Sequence, residues 1–197
     1  MSTEERPHPG RGGAAVTDTT SGVPFDGEHF RHVLSHYPTG VVVVTAVAGD
    51  GGLAGMAVGS FTSVSLNPPL VAYLPDVSST SFPRIRTATS FCVNVLAADQ
   101  HSVCRAFATR GGDKFAGTEW SANRYGAPRL AGAAAWIDCD LESVSEAGDH
   151  YIVLGRVLAL DTPGDRAPLV FYRNGYGSFH PWAAAERPLE VTGGRDV

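Results

Sequence analysis

The chain has 197 residues, 43% of them hydrophobic and 18% charged, which is enough for one sizeable core and shows no break in composition that would mark a second. A formal net charge of −5 speaks against nonspecific binding to nucleic acid or to an anionic membrane, since both need a positive footprint, and favours a small-molecule partner. The three cysteines, Cys92, Cys104 and Cys139, lack C-x-x-C spacing, so neither a disulfide framework nor a structural zinc site is expected. Free thiols fit a reducing cytoplasm, and Cys92 and Cys139 read as small buried side chains. No run approaches the roughly 18 to 20 apolar residues of a bilayer span, so a soluble chain without a membrane partner is expected. Residues 1–24, rich in Gly, Pro and acids and without an apolar signal core, read as a disordered tail. The domain is placed at 25–182 and a flexible tail at 183–197.

Asp26 is positioned to cap a helix whose Phe30, Val33, Leu34 and Tyr37 fall at amphipathic spacing, and Pro38 and Gly40 stop it. Val41 to Ala48 is a continuous β-branched run, as for a strand covered on both sides, and Asp50-Gly51-Gly52 turns it into a second strand near Leu53. A strand at Leu70 to Leu74, a short helix at Thr80 to Ala88, a strand at Phe91 to Leu96 and a helix at Asp99 to Phe107 follow. Ala135 to Val144, Tyr151 to Leu160 and Leu169 to Tyr172 complete the strands. Consecutive strands without intervening helices argue for an antiparallel barrel and against a doubly wound sheet.

The segment GMAVGSFTSVSLNPPL, from Gly55 to Leu70, carries the most chemistry. Met56, Val58, Val64 and Leu66 alternate with Ala57, Gly59, Ser63 and Ser65, so one strand face is apolar and the other nearly bare. A flat heterocycle could approach such a backbone and bond its N–H and C=O groups. A close-packed barrel strand explains the same pattern. Gly49 to Ala54 matches G-x-G-x-x-A, but the residues that follow alternate like a strand, whereas a dinucleotide loop must open a helix. Asp76 to Pro83 brings hydroxyls and backbone N–H groups to a helix start, as an anion site or as simple capping by Ser81. Gly148-Asp149-His150 sits in a turn between strands. His29, His32 and His36 share a helical face, with no clear fourth ligand to make a metal site, and no metal is assigned. Tyr176 and Phe179, after the last strand, either cover a ligand or pack on the barrel or a partner. The absence of G-x-S-x-G leaves a serine nucleophile unsupported.

Six blocks in order, YPTGVVVVTA at 37–46, GMAVGSFTSVSLNPPLV at 55–71, FCVNVL at 91–96, DKFAG at 113–117, GDH at 148–150 and APLVFYRNGY at 167–176, resemble the short-chain flavin reductases of two-component monooxygenases. The resemblance implies a mainly β, antiparallel Greek-key split β-barrel with short helices, the FMN-binding split barrel. It implies an NAD(P)H:flavin oxidoreductase that uses FMN or FAD with NADH or NADPH, forms a homodimer and supplies reduced flavin to a transient monooxygenase partner. The flavin residues it implies are Gly55, Met56, Ala57, Gly59, Ser60, Ser63, Ser65, Ser79, Thr80, Ser81, Asn94, Arg105, Phe107 and Lys114, with Ser79 to Ser81 at the phosphate and Arg105, Lys114 or Arg84 adding charge. Gly148, Asp149, His150 and Tyr176 are implied for the nicotinamide nucleotide. No catalytic acid or base is assigned, because hydride transfer between the two cofactors needs orientation more than proton transfer. Two positions depart from many family members: Gly59 replaces Asn, and Ala106 replaces Arg. A non-reducing FMN- or haem-binding split-barrel protein is the alternative, since fold alone does not fix activity.

Overall fold

The computed structural model describes residues 25–182, so both expected tails lie outside the described residues. The helices are α1 (Gly27–Leu34), α2 (Phe82–Ile85) and α3 (His101–Ala108). The strands are β1 (Thr39–Gly40), β2 (Val42–Val47), β3 (Leu53–Val58), β4 (Thr62–Leu66), β5 (Pro69–Tyr73), β6 (Ser90–Val95), β7 (Trp120–Ala122), β8 (Pro128–Leu130), β9 (Ala135–Ala147), β10 (His150–Asp161), β11 (Leu169–Tyr172) and β12 (Gly175–Ser178).

Seven strands form one antiparallel sheet in the order β3-β2-β6-β9-β10-β5-β4. β3 and β4 therefore stand at opposite edges, yet only residues 59–61 join them. Laid flat, six interstrand steps would hold these edges about 29 Å apart. Four Cα steps from Val58 to Thr62 reach about 15 Å at most. The sheet must curl until its edges approach, which produces the split barrel. Ser60 fastens the join, donating its hydroxyl to the Leu74 carbonyl at 3.1 Å and accepting from the Leu74 N–H at 3.0 Å.

The β-branched run behaves as its sequence predicts. Val42, Val44 and Ala46 enter the barrel interior with Met56, Tyr73, Phe91 and Val153. Val41 and Val43 face a second core made with Leu96 just after β6, Cys104 and Phe107 of α3, Leu130 of β8 and Leu169 of β11. A strand buried on both faces has no polar side to show, hence its unbroken apolar sequence. The Gly49 to Ala54 match forms the β2–β3 hairpin, where Ala48 N–H donates to Gly52 O, and leads into strand β3. No helix opens there. All three cysteines are free and buried, and burial pushes the Cys139 thiol up to about 12 and the Cys92 thiol higher still.

Three expectations change in detail. α1 is capped by Asp26, whose carboxylate accepts from His29 N–H at 2.8 Å, but Phe30, Val33, Leu34 and Tyr37 are exposed on the single chain. The strand through the Gly55 block is two strands. A register shift between Ser63 and Ser65 breaks the alternation, leaving Val64 50% and Leu66 92% exposed on edge strand β4. α2 has only four residues, and Ser79 rather than Ser81 covers its start, accepting from Ser81 N–H at 3.3 Å and Phe82 N–H at 3.1 Å. β1, β7, β8 and β12 carry no signal in the sequence, being two to four residues long and too short for a period to show.

A buried polar cluster ties β8 to the barrel. Asn94 Nδ2 donates to Val43 O and Thr45 Oγ1, both at 3.0 Å, and Asn94 Oδ1 accepts from Leu130 N–H at 2.7 Å. Asn94 has no exposed surface and bounds neither of the hollows along β3, although its block implied a flavin contact. Asn94→Ala leaves the Leu130 N–H without its partner and should lower stability by about 1–3 kcal/mol, read as a lower urea midpoint with unchanged slope.

Candidate active site

A groove follows edge strand β3. At one end a cavity of about 600 Å³ is bounded by Gly52 to Gly55, Thr80, Ser81, Arg84 and the loop from Gly111 to Phe115. Beyond it a smaller hollow of about 160 Å³ is bounded by Met56, Ala57, residues 78–81, Phe107, Arg110 and Lys114. Thr80, Ser81 and Lys114 border both. Lys114 is fixed at this shared border: its ammonium donates to Ser81 Oγ and to Phe107 O, each at 2.9 Å. Burial holds its pKa below the usual lysine value of 10.5. β3 bonds to β2 on one side alone within the sheet, so its other edge offers backbone N–H and C=O groups to the groove.

Gly55 reaches the groove for a packing reason. A Cβ there would lie 2.5 Å from Phe107 Cε1, so the aromatic ring needs a bare backbone at this point. Phe107 is 1% exposed and meets Phe115 edge to face at 4.9 Å. The two rings bind α3 and the 111–115 loop to the strand that forms the groove floor.

Three cations border this region. Lys114 is joined by Arg84, which bonds Asp50 and Leu53 O, and by Arg110, which donates to Ser78 Oγ at 3.1 Å. The Gly52 N–H and Arg84 together hold the Asp50 carboxyl below its ordinary value. Arg110 was missed in the sequence, where its only signal is its place four residues before Lys114. Arg105 is exposed on α3 and bounds neither cavity; its charge acts on Tyr176. Ala106 is half-buried against the second core.

The Gly148-Asp149-His150 turn is the β9–β10 hairpin, with Gly148 at φ +65°. It docks on the strand-to-helix loop: Val77 N–H donates to Asp149 O at 3.0 Å, Tyr151 N–H to Pro75 O at 2.9 Å, and Asp76 bridges His150. Asp149 Oδ1 meets His150 Nδ1 at 2.7 Å, leaving Nε2 on the outer side of the ring. The Asp76 carboxyl lies below its ordinary value, chiefly through the Ser78 backbone N–H, with His150 adding to the effect. Asp76 and Ser78 border the smaller hollow, so the hairpin and the groove share one loop.

The other implied residues are placed elsewhere. Gly59 and Ser60 line a separate cavity of about 530 Å³ between the α1 end, β1 and β11, and the Ser60 hydroxyl is occupied by Leu74. Ser63 and Ser65 lie on β4. Tyr176 is on the β11–β12 hairpin, 4.5 Å from His101 and 5.1 Å from Phe171 between ring centroids, and bonded to Cys104 Sγ at 3.4 Å. That bond, first, and burial raise its phenol to about 12. Among the described residues no three His, Cys, Asp or Glu side chains converge as metal ligands, and His36 instead bonds His32 O and meets Tyr172 edge to face.

Residues 34–180 match the family model for the flavin reductase like domain. The chain belongs to the flavin reductase family. A flavin reductase of Pseudomonas putida is 58% identical over 154 residues, 78% of this chain and 91% of its own length. The reductase subunit HsaB of a flavin-dependent monooxygenase from Rhodococcus jostii is 44% identical over 79% of this chain and 80% of its own. Among solved structures, the NADH:FAD oxidoreductase of Streptomyces globisporus in complex with NAD and FAD fragments superposes with a TM-score of 0.75 at 36% identity, covering 80% of this chain and 95% of its own. The split-barrel expectation and the reductase family are both borne out.

In this reductase Lys114 provides a charge whose removal can be followed. Lys114→Gln should weaken FMN binding by about tenfold and riboflavin binding little, since the phosphate alone distinguishes them. The wild-type preference for FMN should decline before the pH reaches 10.5, because a lysine of lowered pKa loses its proton early. Fluorescence titration of both flavins across pH checks this; equal losses for FMN and riboflavin would place the phosphate elsewhere.

Proposed function

We propose that the chain is an NAD(P)H:flavin oxidoreductase whose flavin lies along the β3 edge and whose reduced product passes to a separate monooxygenase. The observation that carries this reading is the shared loop at 75–81, which joins a cation-bordered groove on one side to the Asp149-His150 hairpin on the other. A flavin held there would meet backbone groups of Gly55 to Ala57, and its phosphate would meet Ser79, Thr80, Ser81, Arg110 and Lys114. Each of these contacts can exchange with water, which suits a flavin that must leave after reduction.

The nicotinamide nucleotide supplies a hydride and the flavin receives it. The chain's task is orientation and exclusion of water between them. Asp149 fixes the His150 ring so that it presents one nitrogen outward as a hydrogen-bond partner for the nucleotide. Tyr176 serves packing on α3 rather than this hairpin. FMN and FAD both fit a phosphate-based anchor, because the FAD-specific half would extend past Gly111 to Phe115.

The homodimer is part of the same reading. Phe30, Val33 and Leu34 on α1, Tyr37 just after it and Leu66 on β4 expose more apolar surface than a monomeric barrel needs, and a second copy would cover it. Free buried thiols support a cytoplasmic setting.

The purified protein should oxidise NADH or NADPH only when flavin is added, followed by loss of the reduced-nicotinamide absorbance. His150→Ala should raise the KM for the nicotinamide nucleotide by about three- to tenfold and that for flavin much less. Equal shifts for both, or a larger one for flavin, would remove His150 from the nucleotide site.

A further inference from the structure

A cavity of about 460 Å³ beside Trp120 shares no lining residue with the flavin groove and plays no part in the reading above. Its lining combines Trp120 and Trp136 with Arg129, Arg166 and Glu119. The arrangement is held firmly at one end. Asp138, 1% exposed, grips the Arg129 guanidinium and also accepts from Asn123 Nδ2 at 2.6 Å, so this carboxylate cannot reorient toward solvent. The fixed guanidinium lies 5.4 Å from the centre of the Trp136 ring, and the Trp136 indole N–H is committed to Leu130 O at 3.0 Å. Neither ring nor cation needs to reorganise to receive a ligand.

The other end is adjustable. Arg166 pairs with Asp99, but both side chains are exposed, at 41% and 67%, and such a surface pair is weak enough to exchange for a ligand carboxylate. Glu119, also exposed, is the one acidic side chain on the lining and is suited to accept from a hydroxyl or amine.

We infer that this cavity is a second ligand site of the chain, taking a planar aromatic carboxylate with a hydrogen-bond donor on the ring. The ring lies against Trp136 and Trp120, the carboxylate meets Arg166, and the donor meets Glu119. Trp120 approaches Phe115 at 6.1 Å, and Phe115 approaches Phe107 at 4.9 Å, so the site touches the flavin groove through three successive aromatic rings. Its occupant is therefore placed to alter how the 111–115 loop holds flavin.

The test uses para-hydroxybenzoate as the probe, titrated calorimetrically into the full chain already saturated with FMN, so binding is read without turnover. One site per chain is expected, with benzoate weaker and cyclohexanecarboxylate silent. Arg166→Gln should weaken the probe by about tenfold while leaving flavin-dependent NADH oxidation unchanged. Trp120→Ala should abolish binding and Trp120→Phe should restore most of it, which separates ring contact from misfolding. No heat at about 1 mM probe, an unchanged affinity in Arg166→Gln, or displacement of the probe by NADH or ADP would each overturn the inference, the last by making the cavity part of the dinucleotide path.

Discussion

Three residues between β3 and β4 dictate the architecture. A sheet whose outermost strands are consecutive in sequence has to close on itself, and the short link leaves no other geometry. Closure also decides where chemistry can occur. β3 remains an edge strand, its free backbone groups turned toward α3 and the 111–115 loop rather than toward another strand. A fully closed barrel would have consumed those groups in a ladder. The split is thus the source of the groove, and Ser60 marks the point where pairing is replaced by a side-chain clip.

Around that edge, two kinds of buried contact share the work. Aromatic packing of Phe107 on Gly55 and on Phe115 sets the groove's depth. Polar fixation by Asn94 and Asp138 sets the position of the β7–β8 ribbon. Both polar residues are satisfied in full by neighbours from several strands, which is the condition under which buried amides and carboxylates hold a fold instead of weakening it. The strands carrying these contacts come from distant parts of the chain, so the groove and the ribbon depend on the completed barrel.

The sequence made most of the fold legible because its signals were long or chemically explicit. The unbroken Val41 to Ala48 run, the Asp50-Gly51-Gly52 turn and the alternation of β9 each report one local requirement. What it hid were strands of two to four residues and the bulge at Val64, where alternation continues in the sequence but not in the sheet. At the site, the resemblance to flavin reductases pointed to Gly55 to Ala57, Ser79 to Ser81, Lys114 and the Asp149-His150 turn, all of which border the groove or the loop beside it. It did not reveal that Asn94 bonds β2 and β8, because an amide in an apolar strand reads alike whether it faces a ligand or neighbouring backbone. It passed over Arg110, since a cation beside two glycines carries no period. Arg105 and Tyr176 were credited by their blocks, and only the path of α3 and β12 shows that they lie together, away from the groove.

The Lys114 ammonium borders both hollows while bonded to a hydroxyl and a carbonyl, both neutral acceptors. An incoming anion outbids neutral acceptors for that charge. Lys114 is therefore free to exchange these partners for an anion at the border that the two hollows share. A phosphate-bearing flavin therefore meets a charge ready to turn toward it, whereas a neutral flavin leaves that charge bonded to the protein.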